Sequence, residues 1–430
     1  MSKVKEQPSG ATPKRGRRGQ QEALSPPSSA PVNADNADED VADEDDNDDD
    51  DDEDAEEEVI SEVYEGEKDE SGRPHGSGRL ILTFRRARHR GQNIFTGSFS
   101  HGNKSGPGEW RFDADTDQQT TLSGPFVNDA LEGEGKYVSA DGSYTIGSYI
   151  AGSLEGQVQE FSSTAALLFS GQYRDSQRNG EGTLYSPYGG TYTGQWKDGL
   201  FDGDTNRYHY PIVSSSTQFS FRGQWREGRM TSCHLFINDE LSSPLIYSHD
   251  ESTLDSPIAT HPLLPDPYES HCCYVAPSTL PSANQGLFAR IDLPPYTAVS
   301  FYNGTKQVDT ITESHPWHLN SNTIALDEEQ GVDIDVAKPY DDVTVYCASL
   351  GHKANHGWVE EERNAEYGKF DHPRFGLIKC VRVKGKGVKA GEELLVDYGF
   401  DKRGGPKWWR DGKKKLKVAQ LKMMKKQSQQ

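Results

Sequence analysis

No apolar run in this 430-residue chain approaches the roughly 20 residues that a membrane-crossing helix needs. The N-terminus also lacks the apolar core of a secretory leader, so the chain is expected to be soluble and intracellular. Cysteine is scarce and unpaired in pattern. Cys233, Cys272, Cys273, Cys347 and Cys380 are odd in number and contain no Cys-x-x-Cys spacing, which excludes a fully paired disulfide framework and gives no zinc cluster. Helical periodicity is nearly absent. Apolar residues make up only 33% of the chain, so part of it cannot build a core. Positive charge is outnumbered as well, with 46 Lys and Arg against 68 Asp and Glu and a formal net charge of -22.

Most of that charge lies between Asp35 and Glu58, where Asp and Glu dominate and self-repulsion predicts a solvated tail. Upstream, Lys14-Arg15-Gly16-Arg17-Arg18 is either a nuclear import signal or a plain basic tail. From Tyr64 to about Phe236 one unit recurs: an aromatic or aliphatic residue, a spacer, Gly, a spacer, an aromatic, then a polar turn and Gly-x-Gly. Phe95-Thr96-Gly97-Ser98-Phe99 and Tyr192-Thr193-Gly194-Gln195-Trp196 are two such anchors. Gly124, Gly147, Gly171 and Gly194 recur at about 23 residues. Alternation of aromatic and small residues between glycine turns predicts hairpins stacked into one long antiparallel sheet. The array resembles a run of MORN repeats. With no basic stripe along it, a scaffold or substrate platform is the expected role, and membrane-lipid binding is the alternative.

After a Ser-, Pro- and Leu-rich linker the pattern changes to short β-rich runs with long irregular connections. Among them stand Ser300-Phe301-Tyr302-Asn303-Gly304, Leu350-Gly351-His352-Lys353-Ala354-Asn355-His356, His372-Pro373-Arg374-Phe375-Gly376 and Gly391-Glu392-Glu393-Leu394-Leu395-Val396-Asp397-Tyr398-Gly399. These pieces resemble the SET domain of protein lysine methyltransferases from about Asp266 to Phe400. Within that group they are similar to the MORN-repeat enzymes that mono-methylate lysine 4 of histone H3 and several non-histone lysines. The expected fold is therefore mainly β. It comprises a tail over 1–60, a MORN sheet over 61–241, a linker over 242–265, a SET domain with a knot-like C-terminal segment over 266–401, and a cofactor-covering segment with a short helix and basic tail over 402–430. In that last stretch Leu416, Val418, Leu421 and Met424 approximate a helical apolar stripe, which packs on the domain or meets a partner.

The resemblance implies a site and a cofactor. Tyr302, Tyr367 and Tyr398 match the tyrosines of the lysine channel, with Tyr398 the catalytic one beside the transferring methyl. Asn355 and His356 match the pair that holds S-adenosylmethionine, Ala283, Asn284 and Gln285 the turn that receives its methionine end, and Trp408 the aromatic that covers it. Trp317, Asn322, Thr323, Lys353 and Lys379 match residues of the peptide groove or the channel's far end. Tyrosines suit such a channel because their rings exclude water while their hydroxyls orient an amine without adding charge. No metal is implied. The expected partner is a protein carrying a target lysine, histone tail or other, met by a monomer placed in the nucleus at chromatin, with the cytoplasm as a second location, and with no nucleic-acid readout and no membrane role.

Four departures stand out against the resembled enzymes. Asn284 replaces a glycine, which a left-handed backbone tolerates better in Asn than in most residues. The loop Gly357-Trp358-Val359-Glu360-Glu361-Glu362-Arg363 is longer and acidic, so the assignments of Asn364 and Tyr367 depend on counting back from His372. Phe400 stands where a tyrosine is usual, and Gly412 where an acidic cofactor contact is usual. The competing expectation is a non-catalytic MORN scaffold whose SET domain no longer binds cofactor.

Overall fold

The computed structural model describes residues 58–86, 89–187, 189–252, 264–281, 283–308, 322–328, 330–338, 340–400 and 409–414. The tails read as basic and acidic, Trp317, Trp408 and the stripe from Leu416 to Met424 lie outside them.

Seventeen strands between Glu58 and Leu241 form one antiparallel sheet in which each strand pairs with the next along the chain, except that the two-residue strands Ala130–Leu131 and Leu200–Phe201 share their partner with the strand that follows them. The repeated anchor explains why. In Leu167–Arg174 and Gln177–Tyr185, Gly171 pairs with Gly182, which pairs in turn with Gly194 of the next strand, Thr191–Lys197. A Cβ on Gly171 would stand 2.5 Å from the Gly182 Cα, and one on Gly182 would stand 2.5 Å from Cζ of Phe169. The glycine row thus leaves a trough in which the Phe169 ring lies, 5.3 Å from Trp196 and edge-on to it. Phe95 repeats the arrangement against Phe126 at 5.0 Å. Burying each such ring is worth about 2–3 kcal/mol, and the edge-to-face contact adds about 1 kcal/mol. Substituting Ala for Gly182 would break one unit. Tight turns with positive φ at both centres, such as Asp198 and Gly199 at 48° and 82°, join strands with the right-handed twist the ladder needs.

The last third of the sheet packs against segments from the C-terminal half of the chain, within one compact unit, Asp49–Gln430. Tyr210 stacks on Tyr268 at 4.8 Å, and the Tyr192 hydroxyl donates to the Asp371 carbonyl at 3.0 Å. The described part of the expected linker is pinned rather than loose. Cys233 and Tyr247 exchange backbone hydrogen bonds at 2.9 and 2.8 Å, and the His249 N–H donates to Met230 O at 2.6 Å.

Beyond it come the helix Pro267–Cys272 and four small sheets. Cys273–Pro277 pairs with Gln285–Ala289. Gly376–Val383 lies between Ala298–Tyr302 and Ala365–His372, and Val332–Asp335 between Thr305–Val308 and Thr323–Asp327. Asn355–His356 runs parallel to Leu395–Val396. Residues 409–414 are helical. The chain is mainly β, as expected.

Candidate active site

The parallel pair is the hub. Gly357 N–H donates to Val396 O at 3.0 Å, and the Asn364 side chain clamps the later strand by donating to Glu393 O at 2.8 Å and accepting from Leu395 N–H at 2.9 Å. This holds Tyr398, two residues past the strand, beside the first segment, where its hydroxyl donates to Ala354 O at 2.9 Å.

Tyr302 ends one strand and Tyr367 lies in another, and both flank Gly376–Val383, opposite Lys379 and Val381 respectively. Their rings meet edge to face at 5.9 Å. Burial pushes both phenols well above their ordinary range, with Tyr398 next among the causes, and Tyr398 is raised by burial and then by the Glu393 charge. Three phenols from distant segments therefore share one space, and all are neutral donors at physiological pH. The longer acidic loop does not displace Tyr367 from Tyr302. Glu360–Glu362 turns as a single exposed 3-10 helix, with Glu360 on Lys384 at 3.0 Å and Arg363 Nε donating to Gly357 O at 2.8 Å.

Lys353 sits beside His352 in the 3-10 turn Gly351–Lys353, where burial lowers its ammonium pKa and its Nζ donates to Asp341 O. His352 lies against Tyr302 at 6.1 Å. Thr323 donates to Asp335 Oδ1 at 3.1 Å, and Asp335 is among the charges raising Tyr302. The Asn322 carbonyl accepts from Val336 N–H at 3.1 Å. Of these residues, Lys353 adjoins Tyr302 through its neighbour His352 and Thr323 through its partner Asp335.

On the other side of the hub, Asn355 Nδ2 donates to Gln285 O at 2.8 Å, Glu393 Oε1 at 3.0 Å and Ser278 Oγ at 3.2 Å. Ala283 N–H donates to Leu280 O at 3.3 Å, and Asn284 O accepts from Ser278 N–H at 3.2 Å. Asn284 is not among the described residues with left-handed φ, so it needs no special tolerance there. His356 is pushed down to about 4 by burial and is neutral. Its Nε2 faces Trp409 Nε1 at 3.2 Å and its Nδ1 faces Tyr398 N–H at 3.1 Å, but a neutral imidazole accepts at only one nitrogen, so it serves one of these donors at a time.

Two contributors had no role assigned from sequence: Glu393 and Trp409. Trp409, 2% exposed, was masked by its neighbour in the Trp-Trp pair. The Gly412 departure has a physical reason, since a Cβ there would stand 2.0 Å from Cη2 of Trp358, whose ring packs edge-on to His356 at 5.4 Å. The Trp358 ring occupies the space that a side chain at position 412 would need.

Known proteins share both halves of this architecture. The MORN repeat signature matches residues 95–113, 123–144, 169–191 and 192–203. Over 379 residues the chain is 36% identical to the histone-lysine N-methyltransferase SETD7 of Halocynthia roretzi, covering 83% of this chain and 92% of that protein. Solved chains of polycomb repressive complex 2 are similar locally. One, an active complex in the basal state, is 24% identical over 30% of this chain and 15% of its own, with a TM-score of 0.23. Another, ctPRC2 in an autoinhibited conformation bound to S-adenosylmethionine, is 22% identical over 35% and 17%, also at 0.23. The chain thus spans under a fifth of those solved chains, and at that score they carry no weight here.

Proposed function

This chain belongs to the MORN-repeat, SET-domain family of histone-lysine N-methyltransferases, and we propose that it transfers one methyl group from S-adenosylmethionine to the side chain of a substrate lysine. What supports the reading is the convergence of Tyr302, Tyr367 and Tyr398 in one buried space beside the Asn355 and Gln285 cradle.

The cradle fits the donor's chemistry. Asn355 turns its N–H face to three acceptors, so the planar amide presents Oδ1 on the opposite side as an acceptor for an ammonium. Glu393 puts a negative charge within electrostatic reach of Tyr398, which suits a cationic ligand. When bound, the donor supplies an electrophilic methyl on a sulfonium.

The rest falls to the protein. Tyr302 and Tyr367 wall the lysine stem from water, and desolvation lowers an ammonium pKa from about 10.4 toward the neutral amine that can attack. Their hydroxyls orient the nitrogen, and Tyr398 contributes a fixed dipole at the transfer point. With the two phenol rings meeting edge to face beside the nitrogen, the expected product is monomethyl-lysine. The substrate is histone H3 lysine 4, a non-histone lysine, or both. The protein acts in the nucleus as a monomer with the MORN sheet as platform, and reads neither nucleic acid nor membrane. Asn284 and Gln285 belong to the cofactor turn, His356 and the C-terminal segment to its cover.

The test is mass spectrometry of histone H3 peptides and a cell lysate incubated with the full chain and labelled donor. One added methyl on a lysine is expected. Folded protein that neither binds the donor in calorimetry nor modifies any lysine would overturn the proposal and leave a scaffold.

A further inference from the structure

Glu393 is 7% exposed, and its carboxylate is surrounded by donors from elsewhere in the chain. Oε1 accepts from Ser278 Oγ at 2.7 Å and from Asn355 Nδ2 at 3.0 Å. Oε2 accepts from Thr279 N–H at 2.8 Å and from the Thr279 hydroxyl. All four donors are neutral. Burial alone would raise this carboxyl, but the bonds from Thr279, Asn355 and Ser278 outweigh it and leave it below its ordinary range, so it is an anion. Among the described residues this buried carboxylate is held by neutral donors, so it keeps its negative field, and the complement to that field is left for something else to bring.

The space around it is built for it. A Cβ on Gly286 would stand 2.1 Å from Glu393 Oε1 and 3.2 Å from Asn355 Nδ2. Gly286 does not have a left-handed φ, so the need there is for room and not for backbone freedom. The strand Gln285–Ala289 therefore leaves a notch that the carboxylate fills, and from that notch it reaches Ser278, Thr279 and Asn355 together.

We propose that Glu393 is a positioning residue that sets the flip of the Asn355 amide and seats Ser278 and Thr279, so that the amino-acid end of the methyl donor is received by Asn355 Oδ1. This rests on the methyltransferase reading above. An asparagine amide can face either way at nearly equal cost unless its neighbours differ. Here Glu393 Oε1, Gln285 O and Ser278 Oγ all take the amide N–H groups, and only the first is charged, which makes it the strongest of the three. With Glu393 replaced by its amide, a donor can oppose Asn355 Nδ2, and the preference for one flip falls.

Two ligands separate this role from a general structural one. S-adenosylhomocysteine carries the amino-acid end, and 5′-methylthioadenosine has the same nucleoside without it. Binding of each to the full-length protein and to Glu393→Gln would be measured by calorimetry, with ligand-detected NMR for the weaker one. S-adenosylhomocysteine should bind about tenfold more weakly to the variant, while 5′-methylthioadenosine stays within about twofold. Gly286→Ala, which keeps the charge but pushes the carboxylate out of its notch, should give the same selective loss and serves if Glu393→Gln does not fold. Equal weakening of both ligands, no weakening of either, or failure of both variants to fold would overturn the positioning role. Unmutated protein that binds neither ligand would instead overturn the methyltransferase reading itself.

Discussion

Nε2 of His372 lies 3.2 Å from Oδ2 of Asp266, and that same oxygen accepts the Tyr210 hydroxyl at 2.6 Å. Arg374 N–H donates to His372 Nδ1 at 3.1 Å, so Nε2 carries the ring proton and points it at the carboxylate. Oδ1 of Asp266 meanwhile caps the helix Pro267–Cys272 by accepting from Glu269 N–H at 2.9 Å. Glu269 in turn accepts from Phe301 N–H at 2.7 Å and Leu350 N–H at 2.9 Å, next to Tyr302 and the Gly-His-Lys turn. One buried carboxylate thereby joins the end of the repeat sheet to the strand bearing Tyr367 and, through a single helix, to Tyr302.

Asp266→Asn should therefore destabilise the whole unit by about 3 kcal/mol, because its single remaining acceptor cannot serve the Glu269 N–H and the His372 and Tyr210 donors together, leaving buried donors unpaired. Urea denaturation measures it. An unchanged midpoint would show that the two modules are stable independently of this node.

Stability should fall on acidification below about pH 6.5. Burial pushes His352 down to about 3 and both His209 and His356 down to about 4, so between those values and 6.5 the unfolded chain binds more protons than the folded one. Each such group contributes a slope of about 1.4 kcal/mol per pH unit in its window. His352→Phe should flatten the acid limb of a plot of Tm against pH.

Glu269 acts in the opposite sense. Burial raises its carboxyl to about 8, so between about 4.5 and 8 the folded state holds a proton that the unfolded state has lost, and stability falls as pH rises through that range. Glu269→Gln should remove the decline on the alkaline side of the optimum. A variant that declines as steeply as the parent would mean that Glu269 is ionised when folded.

If Tyr398 acts at the transfer point, as proposed, Tyr398→Phe should lower kcat by tenfold or more, about 1.4 kcal/mol, with little change in donor affinity. Steady-state kinetics with calorimetry of the donor separates the two effects.

Tyr367→Phe should yield dimethyl-lysine while keeping mono-methylation. Losing one hydroxyl opens volume beside Tyr302 and removes the bond it is proposed to make to the amine or an adjacent water, about 1 kcal/mol, enough to shift the product balance several-fold. Mass spectra of a peptide at long incubation give the answer, and purely monomethyl product from the variant would remove Tyr367 from the channel.

The amino-acid sequence by itself determined the repeat sheet and the kind of site. An aromatic, a glycine and an aromatic on alternate residues, repeated at about 23, dictate hairpins with a glycine trough, because ring and trough belong to adjacent strands close in sequence. The resemblance to SET methyltransferases named three tyrosines and an Asn-His pair, and the structure brings Tyr302 and Tyr367 ring to ring and sets Tyr398 on Ala354. Tertiary structure alone decided the rest. Of the adjacent Glu392 and Glu393, only the second turns inward, and what turns it is a notch at Gly286, over a hundred residues earlier. Trp358 fills the room beside Gly412, and Asp266 finds His372 across 106 residues. The parallel pairing of Asn355–His356 with Leu395–Val396 brings distant segments side by side, and contacts made that way leave no local period to be read.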